Sequence, residues 1–155
     1  MLLIDSQLIV REKNFPDCEA AIRYGGSILY RLGYVKDTYT DSVLAREKLF
    51  PTGLPTQPVP IAIPHTGSEH VNRSMFCMIV FDNPVMFRQM GSEEERIPAE
   101  IMLLLAIDGS ERHLEFLSDI LGIFSDGSVL TRIRAAGSAE EICSILGEFE
   151  QLQFD

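Results

Sequence analysis

The spacing of hydrophobic positions changes several times along the chain, and each change marks an element. Leu8-Ile9-Val10 reads as a short first strand. Cys18, Ala21, Ile22, Gly25, Ile28, Leu29 and Leu32 then recur at three- and four-residue spacing, which gathers them on one face of a helix. Pro16-Asp17 opens that helix, and Gly33 stands where a C-terminal cap belongs. A shorter helix is expected from about Asp41 to Leu49, with Val43 and Leu44 inward and Arg46, Glu47 and Lys48 near its end. The breaker cluster Pro51-Thr52-Gly53-Leu54-Pro55 stops it.

Strand-like runs follow. Val59 to Ile63 ends at Pro64, while Met75 to Phe81 and Ala99 to Ile107 are almost unbroken apolar runs, as expected of strands covered on both faces. Between those two, Pro84-Val85-Met86-Phe87 reads as an edge strand or a turn. Asp108-Gly109-Ser110 breaks the last run, and Ser110 is a candidate cap for a helix with the stripe Leu114, Leu117, Ile120, Leu121 and Phe124. A short helix is expected around Val129 to Arg134. Ser138 and Glu141 have capping-box spacing before a last helix with the inner face Ile142, Ile145, Leu146, Phe149 and Leu152. No linker or repeat divides residues 1–155, and strands mixed with helices predict a single layered α/β domain.

Composition narrows the function classes. The chain has 155 residues, 46% hydrophobic and 23% charged, with 13 Lys plus Arg against 23 Asp plus Glu. The resulting formal charge of −10 repels nucleic-acid phosphates and anionic membranes; it suits a basic protein partner, or serves solubility alone. The longest apolar run, Ile101 to Ile107, is far too short to span a bilayer. No basic stretch precedes the apolar start, so a cytoplasmic location is expected. Cys18, Cys77 and Cys143 are widely spaced without a CxxC, which reads as reduced core cysteines.

Chemistry concentrates on the three histidines. His65 follows the strand-ending Pro64, whose missing N–H stops the ladder and presents the next side chain at a strand terminus. Sites of open α/β sheets gather there. His113 falls in the first turn of the helix after Ser110, where free N–H groups and the helix dipole attract anions and disfavour an imidazolium. His70, beside Glu69, reads as a loop residue. Arg46 is a candidate anion clamp because a guanidinium grips two oxygens at once. Walker, GxGxxG and GxSxG motifs are absent.

Arg46-Glu47, Phe50-Pro51-Thr52-Gly53-Leu54, Ala62-Ile63-Pro64-His65 and His113-Leu114 with Leu117 form an ordered set. It resembles the mannitol/fructose class of enzyme IIA from sugar phosphotransferase systems. Pro51 to Pro55 and Pro84 to Gly91 look most like its galactitol-type branch, although Gly67 stands where that branch is expected to carry an acidic residue. The resemblance implies a mixed five-stranded sheet flanked by helices. It also implies a phosphotransferase component that accepts phosphate on His65 from the carrier protein HPr. The group would pass to a cysteine of an enzyme IIB, which works with a membrane IIC. Arg46 and His113 would surround the phosphoryl group, with Thr52 and Thr66 beside it, and neither a cofactor nor a metal would be needed. Glu47 and Glu69 are the expected acidic rim facing a basic HPr. Two other readings use the same residues: a stand-alone regulator signalling through its phosphorylation state, and a metal-dependent hydrolase built on His65, His70, His113 and Asp108.

Overall fold

A computed structural model describes residues 2–12, 14–109, 112–149 and 152–154, giving the backbone alone for residues 2–3, 12, 112–114 and 152–154. The expected Ser110 cap lies outside the described residues. The main sheet has five strands in the order β2 (Ile9–Glu12), β5 (Met75–Arg88), β6 (Arg96–Ala106), β4 (Ile61–Ala62) and β3 (Gly53–Leu54). It is mixed: β2 runs parallel to β5 and β4 parallel to β6, whereas β5–β6 and β3–β4 are antiparallel. Helices α1 (Cys18–Arg31) and α2 (Tyr39–Leu49) cover one face; α3 (Arg112–Phe124), α4 (Gly127–Ala135) and α5 (Ala139–Leu146) cover the other.

Two cores result, and the central strands feed both. Cys77, Ile79 and Phe81 of β5 face α1 and α2, while Phe76, Met78 and Val80 face the opposite layer. Double-sided burial is why the stretches Met75 to Phe81 and Ile101 to Ala106 carry no charged residue. α1 follows its expected face closely. The Asp17 carboxylate accepts the Ala20 N–H at 2.9 Å, and Gly33, at φ 86°, takes the left-handed conformation that closes the helix.

The structure corrects three expectations. β5 continues through Pro84-Val85-Met86-Phe87 as one long strand with a register shift between Val80 and Val85, so this segment is neither a turn nor a separate strand. On α3 the buried residues are Phe116, Ile120, Ile123 and Phe124, and Leu121 is 38% exposed. α3 is apolar around much of its circumference, so packing chose the face: the Phe76 ring stands 6.3 Å from Phe116 and 6.2 Å from Phe124. The last helix stops at Leu146 with Gly147 as its C-cap. Phe149 still packs on the core, but Leu152 lies in β7 (Leu152–Phe154), which pairs in parallel with β1 (Leu2–Ile4) as a separate two-stranded sheet. Among the described residues no helix is long and apolar enough to cross a membrane.

Candidate active site

β4 and β6 are adjacent parallel strands, so the loops leaving their C-terminal ends emerge at one edge of the sheet. The first loop carries His65 and the second leads to α3. Pro64 O accepts the Leu105 N–H at 3.0 Å, which sets His65 beside the end of β6. Ser68 lies near Gly109, where a side chain on that residue would touch it, and His113 is the second residue of α3. The topology therefore puts the backbone of His113 at the same edge as His65. Its side chain is outside the description.

His65 is half-buried, with Nδ1 2.9 Å from the carbonyl oxygen of Ile63. A carbonyl can only accept, so Nδ1 must carry the proton. In the neutral ring the lone pair then resides on Nε2. The next residue, Thr66, is hydrogen-bonded through its hydroxyl to Ser42 of α2. One helical turn beyond Ser42, on the same face, stands Arg46. It is exposed, its guanidinium carbon lies 5.5 Å from the Phe50 ring centroid, and among the described residues it makes no ion pair.

Thr52 is only 4% exposed. Its N–H and hydroxyl both donate to Glu47, at 2.9 Å for the N–H and 2.9 and 3.0 Å for the hydroxyl. Burial raises the Glu47 carboxyl above its ordinary value, opposed by these Thr52 bonds and by Arg88. Glu47 is thus a half-buried clamp and not part of an acidic rim; Glu69 is exposed, as that role requires. Ser42 and the Glu47 clamp escaped the sequence reading. Local spacing does not reveal that Ser42 meets Thr66, 24 positions on, nor that the chain turns at Pro51 so as to bring Thr52 back onto Glu47, five positions before it.

His70 turns Nδ1 onto the Thr38 hydroxyl at 2.8 Å and lies 3.6 Å from Glu69, so it braces the loop from α2's leading end. Among the described residues no three or more His, Cys, Asp or Glu converge as a metal site.

Known proteins are similar to this chain in sequence and in fold. The family model "Phosphoenolpyruvate-dependent sugar phosphotransferase system, EIIA 2" matches residues 2–149. The mannitol-specific phosphotransferase enzyme IIA component of Geobacillus stearothermophilus is 34% identical, covering 96% of this chain and 97% of that one. Its counterpart from Halalkalibacterium halodurans is 33% identical over 86% of each. A galactitol-specific EIIA component of Escherichia coli matches at 27%, over 70% of this chain and 72% of its own length. The galactitol-type likeness is therefore present, with the mannitol-specific relatives ahead of it. Among solved structures, IIA mannitol from Escherichia coli superposes with a TM-score of 0.68 at 25% identity, covering 89% of this chain and 95% of that one. A complex of Escherichia coli enzyme IIAMTL with phosphorylated enzyme IIBMTL shares the fold at a TM-score of 0.72 and 24% identity, covering 92% of this chain and 96% of that one. The chain belongs to the EIIA 2 family of the phosphoenolpyruvate-dependent sugar phosphotransferase system, whose members are phosphotransferases acting through a phosphohistidine intermediate.

Proposed function

We propose that His65 is the phosphorylated residue and that the chain carries phosphate from an HPr-type carrier to an enzyme IIB of a cytoplasmic, mannitol-like sugar uptake system. The observation that carries this reading is the Nδ1 contact with the Ile63 carbonyl, because it leaves Nε2 as the nucleophile. The Nε2 lone pair attacks phosphorus in line as the P–N bond of the donor phosphohistidine breaks. In the second half-reaction an IIB cysteine thiolate attacks and the Nε2–P bond breaks, returning the lone pair to His65. Such transfers ask the protein mainly to position the groups and stabilise charge on three equatorial oxygens.

Arg46 supplies a bidentate cation, and the first turn of α3 with His113 supplies donors at the same sheet edge. Thr66 lines the group beside His65, and Thr52 supports it from just before β3. The acidic balance of the chain, with Glu69 exposed on the His65 loop, suits a basic carrier surface. Mannitol-like sugars are preferred over galactitol because the mannitol-specific relatives share more identity. The IIB assignment takes its support from the solved IIA–IIB complex of the shared fold.

Phosphorylation with phosphoenolpyruvate, enzyme I and HPr, followed by mapping of the acid-labile phosphate, tests the reading. Label is expected on His65 alone, and His65→Ala should abolish acceptance with an unchanged circular dichroism spectrum. Label on His113, or full labelling of the alanine variant, would overturn it. Arg46→Lys should transfer more slowly despite its retained charge.

A further inference from the structure

We infer that Glu47 is a positioning residue for His65, acting by withholding one hydrogen bond from the sheet so that the Ile63 carbonyl stays available to the imidazole. The inference rests on the reading of His65 as phosphoryl acceptor and adds a group outside the site itself.

The register of β3 against β4 pairs Gly53 with Ala62 and Leu54 with Ile61. One step further along, Thr52 stands opposite Ile63. Ile63 N–H donates to Thr52 O at 3.3 Å, so the two form a hydrogen-bonded position of the antiparallel ladder. Residues at such a position normally exchange two bonds, and the second would run from Thr52 N–H to Ile63 O. It does not form. Thr52 N–H is drawn instead to Glu47 Oε1 at 2.9 Å, and the Thr52 hydroxyl donates to the same carboxylate. Ile63 O then takes the Nδ1–H of His65 at 2.9 Å.

A buried amide will not go unpaired, so the Thr52 N–H has two alternatives: the Glu47 carboxylate or the Ile63 carbonyl. The Glu47 side chain, which accepts both the Thr52 N–H and the Thr52 hydroxyl, holds an acceptor oxygen at the amide and satisfies it without the ladder bond. Removing the carboxylate would return Thr52 N–H to Ile63, where it competes with the imidazole. The ring would then lose both its fixed orientation and its single tautomer. Glu47 follows Arg46 directly, so the same clamp also sets the end of α2 that presents the guanidinium.

Nitrogen-15 NMR of the His65 ring in the full-length protein, at a pH where the imidazole is neutral, reads the tautomer directly. Wild type should be the Nδ1–H form. Glu47→Ala should give a mixture, with the first-order transfer step falling by about tenfold to a hundredfold. Glu47→Gln keeps an acceptor oxygen for Thr52 N–H and should restore the single tautomer and most of the rate. A wild-type ring protonated at Nε2, a mixture persisting in Glu47→Gln, or a folded Glu47→Ala variant with the wild-type tautomer would each overturn the proposal. The wild-type and glutamine measurements decide it even if the alanine variant does not fold. Label mapping at His65 is read separately, so a failed acceptor assignment is told apart from a failed positioning role.

Discussion

Helices α2 and α5 are attached to the sheet by different means. α5 is a short amphipathic helix with a regular cap: Ser138 accepts the Glu141 N–H at 3.2 Å, and Glu141 reaches back to the Gly137 N–H at 2.8 Å. Ile142 and Leu146 are fully buried, and the remaining polar side chains face water. α2 buries Tyr39, Val43 and Leu44, yet Thr38 makes no side-chain cap bond. Its polar residues reach other elements instead. Tyr39 OH donates to Leu105 O at 2.7 Å, Ser42 meets Thr66, Glu47 holds Thr52, and Arg88 donates to Lys48 O. Apolar burial attaches a helix without choosing what lies at its ends, whereas directional polar bonds place particular side chains. The helix that borders the chemistry is the one held by polar bonds.

Substitutions can separate these modes. The largest loss of stability should come from Ile142→Ala, which opens a void under α5 and costs about 2–5 kcal/mol in urea unfolding. Phosphoryl transfer per folded molecule should be unchanged, and a loss there would show that the α5 layer shapes the site. Tyr39→Phe strands the Leu105 carbonyl and should cost about 1–3 kcal/mol. Because Leu105 also ties to Pro64, transfer should slow as well; a purely thermodynamic effect would place Tyr39 with the α5 type of attachment. Ser42→Ala should cost about 1 kcal/mol or less in stability, while the transfer rate falls because Thr66 loses its anchor. An unaltered rate would mean that Pro64 and His70 suffice to hold the loop. The smallest effect on stability is expected where Arg88 and Arg96 stand directly opposite each other on β5 and β6, close to the Glu47 end of α2. Arg96→Glu replaces like charges with an opposite pair and should stabilise by up to about 1 kcal/mol in urea unfolding; a loss of stability would show that the two side chains do not meet across the strands.

Much of this molecule was determined locally, and the sequence alone made it legible. Periodicity marked α1 because a helix with one wet and one dry face must repeat every three or four residues. The unbroken apolar runs marked β5 and β6 because both sides of those strands are covered. Pro64 announced a strand end with a histidine after it, since a missing N–H ends a ladder wherever it occurs. Tertiary structure decided the rest. It selected the buried face of α3 among several apolar candidates through the Phe76 contacts, and it carried β5 past Pro84 because the antiparallel partner β6 was there to pair with it. It ended α5 at Gly147, leaving Leu152 to pair with β1. Above all it brought Glu47 to Thr52, and Thr52 to Ile63. Glu47 and Thr52 are only five residues apart, but the turn that joins them and the meeting of Thr52 with Ile63 depend on the pairing of β3 with β4, and no periodicity encodes them.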